Sequence, residues 1–320
     1  MAGWFIESRG CWVSDHGKYL EVSCLIAGRR LPQSAALGGT QAKTLPPVWA
    51  GGEAGMYCDP HGPIFIIGCA RSGTTWLGRI FARSAGFCVT IEDPNIFPLA
   101  DRAALHWHRR DETMQDLISL YRDHIAQAGA DLYVDKSHQN IWLVELLDWA
   151  FPSARYVAIE REPYGTIASM MRHHGVRRHF AYWRRYPLPN RHLGIELDDA
   201  PGYDELPLSI KCALRWRSHH QRLTELRETL GPRLHLIGYE KLVEDTAAEL
   251  ARLGPFVGRP LQVAVAAAAP LEKWRAVLSQ GQRARIDEVL ADVFKSDDIC
   301  VLDARMGLRS SFDPRRSIAL

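Results

Sequence analysis

The sequence lacks paired cysteines, a long apolar run and any strong net charge. Its seven cysteines (Cys11, Cys24, Cys58, Cys69, Cys88, Cys212 and Cys300) are odd in number and scattered, and no two are spaced as CxxC. That excludes a disulfide framework and a structural zinc site of the usual spacing. No stretch approaches the roughly 20 apolar residues of a membrane span. The start, MAGWFIESRGCWVSD, has no apolar core behind a basic end, so no signal peptide is expected and a cytoplasmic setting is. The formal net charge of +2 is too small for bulk attraction to nucleic acid, so basic residues are read locally, as ligands for anions.

What the chain of 320 residues does have is a run from Pro63 to Asp93 around which the rest is organised. Ile64-Phe65-Ile66-Ile67 is continuous apolar sequence, as a strand buried on both faces requires. A polar turn follows, with Gly68 and Gly73 near its ends, and then Trp76, Leu77, Ile80 and Phe81 recur at helical spacing. Strand, glycine turn and helix N-terminus together make an anion site, because the first N–H groups of a helix lack internal partners. The turn is not a Walker A loop, G-x-x-x-x-G-K-[ST]. Thr74 and Thr75 stand after Gly73 where lysine is needed, and the cation lies upstream at Arg71. An arginine fork and two hydroxyls suit a 5′-phosphate bearing one small anion better than a triphosphate.

Arg71-Ser72-Gly73-Thr74-Thr75-Trp76 after an apolar strand resembles the 5′-phosphosulfate loop of the sulfotransferases, which use 3′-phosphoadenosine 5′-phosphosulfate (PAPS) as donor and release PAP. Three later stretches carry the resemblance on. Arg161, Pro163 and Ser169 match the family's R-[DN]-P-x-x-x-x-x-S element for the 3′-phosphate, with Glu162 in place of Asp or Asn. Leu234 to Val243 matches a strand running into Y-E-x-L-V, which implies a place for Tyr239 near the adenine. Leu271-Glu272-Lys273-Trp274-Arg275 is similar to a C-terminal element that touches the cofactor's phosphate, through Lys273 and more weakly Trp274. The resemblance covers residues 63 to 294. It implies a three-layer α/β fold of P-loop-like type, with a mostly parallel sheet flanked by helices, and a reaction that needs no metal.

The pattern in between is consistent with that. Strands are expected at 87–91, 132–134, 155–159 and 234–239, and helices at 113–128, 141–151, 208–230, 245–253 and 281–294. Glu92 ends the second strand and Lys136-Ser137-His138 follows the third, where parallel sheets bind ligands. Sulfuryl transfer to a hydroxyl needs a base, and two are available. Glu92 lies 21 residues after Arg71, similar to the catalytic glutamate of tyrosylprotein and heparan-type enzymes. His138 resembles the histidine of K-T-H in estrogen-type enzymes. The loop arginine favours Glu92. Arg71 and Lys136 are the expected electrostatic stabilisers.

The domain reading is an accessory hairpin and linker over 1–60, an α/β domain over 61–300 and a tail over 301–320. Residues 174–206, rich in His, Arg and aromatics, show no period and read either as a lid over the acceptor or as a surface excursion. As a lid, Arg177, Arg178, Arg184 and Arg185 would favour an acidic or phosphate-bearing acceptor. The expected acceptor is a small molecule or carbohydrate, or a lipid-linked hydroxyl. Its identity and the oligomeric state are not readable. The competing readings are a P-loop kinase or nucleotide hydrolase, for which Val134-Asp135 would be the metal-holding strand, and a nucleotide-binding module without catalysis.

Overall fold

The computed structural model describes residues 62–106, 110–263 and 271–295. The expected N-terminal hairpin, the linker and the C-terminal tail lie outside these residues. Five strands form one parallel sheet: β1 (Ile64–Ile67), β2 (Phe87–Ile91), β3 (Leu132–Lys136), β4 (Arg155–Glu160) and β5 (Leu234–Gly238). Their order is β2-β3-β1-β4-β5. β1 lies in the middle, pairing Ile64 with Val134 on one side and with Arg155 on the other.

The central strand β1 is apolar throughout because both its faces are covered. Phe65 and Ile67 point into one layer with Tyr133, Tyr156 and Ala158. There they meet α2 (Ile96–Leu105), α3 (Arg110–Ala128), α4 (Val144–Ala150) and the C-terminal half of α7 (Leu208–Leu230). Ile64 and Ile66 point to the opposite layer, with Val134, Val157 and Ile159. There they meet α1 (Thr74–Arg83), α8 (Tyr239–Glu244) and α9 (Thr246–Val257). The alternation is the two-residue period of a strand read between two helical layers. It gives the three-layer α/β architecture expected of the sequence.

A third apolar cluster sits beyond the C-terminal end of the sheet. It joins Cys69 and Ala70 to α5 (Pro163–Met171), α6 (His174–Ala181), the start of α7, α10 (Gln280–Val289) and α11 (Ala291–Lys295). The chain leaves β1 toward β2 but leaves β4 toward β5, so the loops after β1 and β4 part in opposite directions. A crevice at such a switch point is where parallel sheets take their ligands.

Three elements differ from the sequence pattern. The helix expected at 141–151 is a 3₁₀ turn, His138–Trp142, followed by α4. α2 lies where no element was expected; its Pro98 falls in the first turn, where no N–H is required of it. Residues 174–206 are not without structure. They hold α6, a 3₁₀ turn at Trp183–Arg185 and another at Ala200–Gly202. Val176 and Phe180, four apart, bury α6 on the third cluster.

Candidate active site

The loop after β1 is shaped by two glycines and one strained arginine. Gly68 has φ of 150°, and a Cβ there would lie 2.4 Å from the Ile159 carbonyl oxygen. Gly73 has φ of 99°, and a Cβ there would lie 2.5 Å from the Tyr239 ring. Gly73 is the N-cap of α1 and offers no side chain, so the first N–H groups of that helix are left for a ligand. Arg71 has φ of 75° and is exposed. Ser72 and Thr74 are buried, while Thr75 and Trp76 are half-buried.

The loop after β4 comes to the same place. Arg71 Nε donates to Ser169 Oγ at 3.2 Å, across 98 residues of sequence. Arg161 lays its guanidinium over the Tyr239 ring at 4.4 Å, and its buried Nε has no partner. Tyr239 meets Trp76 edge-on at 5.9 Å. Glu162 caps α5 through Gly165 N at 2.5 Å and places Pro163 at the start of the helix. Burial first, then the charge of Glu240, pushes the Glu162 carboxyl up to about 7. Glu240, which accepts from the Glu162 N–H at 3.3 Å, is raised by burial to about 7 as well.

The ends of β2 and β3 supply the third part. Glu92 N donates to the Lys136 carbonyl at 3.0 Å, which holds the two strand ends together. Lys136 Nζ, only 2% exposed, forms an ion pair with Glu92 Oε1. His138 Nδ1 lies 3.7 Å from the same oxygen. Burial would raise the Glu92 carboxyl, but the nearby His138 ring and the Lys136 charge outweigh it and hold it at about 2. Burial lowers His138 to about 4, against its contact with Glu92, and the charges of Lys136 and Arg215 push the same way. Burial also lowers the Lys136 ammonium, with Glu92 opposing. At neutral pH Glu92 is therefore a carboxylate and His138 a neutral imidazole. Glu92 has φ of 50°. Among the described residues, Arg71 and Glu92 are the two non-glycine residues with positive φ, and such strain gathers at functional sites.

Lys273 and Trp274 both lie in the turn Leu271–Ala276. Lys273 is exposed, and no hydrogen bond or ion pair of its side chain occurs among the described residues. Trp274 instead stacks on Tyr164 of α5 at 4.8 Å, with Arg275 and Arg283 over its face at 4.6 and 5.8 Å. Sequence reasoning passed over both arginines. The signal for Arg275 was its place beside Trp274; Arg283, on a separate helix, gave none.

Asp135 cannot serve as the metal-holding carboxylate of a kinase-like site. It is fully buried and accepts from Thr90 Oγ1 at 2.8 Å, Asn140 Nδ2 at 2.7 Å and Tyr121 OH at 3.2 Å. Asp101, His179 and His192 converge closely enough to hold a cation. Arg215, however, donates to His192 Nε2 at 2.9 Å, which leaves the ring proton on Nδ1 and occupies the lone pair a metal needs. Cys69, Cys88 and Cys212 are free thiols.

Comparison with known proteins points one way. The family model described as "Sulfotransferase family" matches residues 63–262. No curated protein is matched by the sequence. Similar solved structures include a sulfotransferase from Alicyclobacillus acidocaldarius (15% identity, 78% of this chain and 97% of that one, TM-score 0.48). A sulfotransferase domain from the curacin biosynthetic pathway has 17% identity over 72% of this chain and 97% of that one, with a TM-score of 0.47. A mouse sulfotransferase complexed with PAP has 16% identity over 77% and 90%, with a TM-score of 0.44.

Proposed function

The chain belongs to the sulfotransferase family, and from that premise we propose that it moves a sulfuryl group from PAPS to a hydroxyl or amine of a small-molecule, glycan or lipid-linked acceptor. The observation that carries the donor is the 3.2 Å bond from Arg71 to Ser169, which joins the 5′-phosphosulfate loop to the 3′-phosphate element. The residues fit a nucleotide with phosphate at both positions. The uncapped N-terminus of α1, Ser72, Gly73, Thr74 and Thr75 suit the 5′ group. The unpartnered Arg161 Nε and Ser169 suit the 3′-phosphate, and Tyr239 and Trp76 form a ring-lined wall beside them. Lys273 and Trp274, with Arg275 and Arg283 beside the indole, are the C-terminal contacts to test.

The donor supplies a sulfuryl group on a phosphate leaving group. The chain's own residues supply position, charge and a base. Arg71 neutralises charge on the departing phosphate and, being always protonated, donates no proton. Lys136 has a second task. While it grips Glu92, that carboxylate is a poor base. With Lys136 turned toward the leaving oxygen of a donor held by the loop, the proton affinity of Glu92 would rise, and Glu92 would take the proton of the acceptor hydroxyl. His138, 3.7 Å from Glu92 Oε1, orients the acceptor and passes the proton on. As the acceptor's O–H bond breaks, its oxygen forms the new bond to sulfur, and the old sulfur–oxygen bond releases PAP.

Calorimetric titration with PAP tests the donor, with ATP as control and no magnesium. Tight PAP binding, weakened on the order of tenfold or more by Arg161→Ala or Ser169→Ala, is expected. Binding of ATP alone, and only with magnesium, would overturn the reading.

A further inference from the structure

Helix α6 and the turn after it present positive charge that the donor site does not use. From Pro163 to Ile195 there is no acidic residue, where the chain's average would put about four. Two arginines of this stretch are paired, Arg184 with Asp204 and Arg191 with Glu225. Among the described residues, no carboxylate lies within ion-pair distance of Arg177, Arg178 or Arg185. Arg178 and Arg185 lie over the Tyr182 ring at 6.0 and 4.4 Å, which orders the guanidiniums without neutralising them. The side chains of Arg177, Arg178 and Arg185 are all exposed.

The inner face of the same helix leads to the acceptor side of the reaction centre. His179 reaches Asp101 Oδ2 at 3.2 Å, its ring lies 5.6 Å from His192, and His192 lies 6.2 Å from His138. The buried Arg215, on His192, leaves its Nε and NH1 without hydrogen-bond partners, with the Asp101 carboxylate as the acidic group of this wall. The donor's own anions are met elsewhere, by the loops after β1 and β4.

Resting on the sulfotransferase reading, we propose that the acceptor is itself an anion, carrying a phosphate, sulfate or carboxylate that Arg177, Arg178 and Arg185 hold outside the reaction centre. Binding is then steered by charge and weakens with salt. Neutral alcohols of the same shape are poor acceptors, since nothing on α6 holds them.

The test is calorimetric titration of PAP-saturated protein with inorganic pyrophosphate, and in a second arm with citrate. Both arms are repeated in an Arg177→Glu/Arg178→Glu variant and in a milder Arg177→Gln/Arg178→Gln one. Pyrophosphate or citrate should bind, more weakly at high salt, with an association constant lower by about tenfold or more in the charge-reversed variant and by less in the glutamine one. PAP affinity should stay unchanged in both. The stronger of the two arms identifies phosphate or carboxylate as the acceptor's group. No binding of either anion, or equal binding in the variants, overturns the proposal. Failure of PAP to bind the unmodified chain would sink the donor reading; the part of the pyrophosphate or citrate binding that falls in the Arg177→Glu/Arg178→Glu variant would still report on α6, whereas binding in the open loop after β1 would not change.

Discussion

At the scale of single residues, the site is defined by one carboxylate oxygen. Glu92 Oε1 faces both Lys136 and His138, and the strained backbone at Glu92 aims it there. Loss of that carboxylate should remove the base and leave donor binding alone. Glu92→Gln is expected to lower kcat by about 10²- to 10⁴-fold with PAP affinity unchanged, measured by labelled-sulfate transfer and calorimetry. Near-normal turnover in Glu92→Gln would pass the role to His138. The pH profile separates the partners further. Both groups must be unprotonated, and they stand at about 2 and about 4 in the free enzyme. kcat/KM should therefore lose nothing to the base as pH falls from 7 to 5. In Lys136→Ala the cation that lowers both Glu92 and His138 is gone, so both rise and the acid limb moves up in pH. An unmoved limb in that variant would show that Lys136 does not hold the pair deprotonated. Arg71, Glu92, Lys136 and His138 were all legible in the sequence, since each lies just past a readable strand. That Lys136 and His138 share one oxygen of Glu92 was not, because it depends on the pairing of β2 with β3.

Among elements, the strands were the most legible, because an apolar run such as Ile64–Ile67 has few other uses in a soluble fold. Helix α6 was the least. Its buried side holds only Val176 and Phe180, and its N-cap is His173, an unusual capping residue that accepts from Val176 N at 3.4 Å. The junction of β4, α5 and α8 carries a consequence for stability. Glu162 and Glu240 are both raised to about 7 from an ordinary 4.5. A carboxyl raised on folding binds its proton more tightly in the native state, so its contribution is full below about 4.5 and is lost as pH rises through about 7. Around this pair lie Arg161, Glu160 with His220 upon it at 2.6 Å, Tyr164 and Arg275, and none of them removes both burdens. His138, His192 and His219, all lowered by burial, act in the opposite sense, but only below their ordinary 6.5. Between pH 6.5 and 8 the thermal midpoint should therefore fall. Glu240→Gln, which keeps the acceptor for the Glu162 N–H, should flatten that fall. An equal slope in Glu240→Gln would show that the pair does not carry it.

Across the whole described body, the residues proposed for the donor come from widely separated stretches: the loop at 68–76, Arg161 and Ser169, Tyr239, and the turn at Leu271–Ala276. The sheet order brings them together, with β1 and β4 adjacent and β5 beside β4. A donor bound there touches the ends of three neighbouring strands at once, so it must stabilise the fold as a unit. At a hundredfold excess over Kd, PAP should add about 2.7 kcal/mol, since it binds the folded chain alone. For a body of this size that is a rise in Tm of about 5–10 °C. The rise should follow the logarithm of PAP concentration, and Arg161→Ala should shift the curve to higher concentration while leaving its slope intact. The slope is fixed by mass action, so it separates binding from damage. A variant that merely folds poorly would start from a lower Tm and respond to PAP at the same concentrations as the unmodified chain. If ATP without magnesium raised Tm as much as PAP, the 3′-phosphate would be adding nothing, and Arg161 and Ser169 would lose the role given to them.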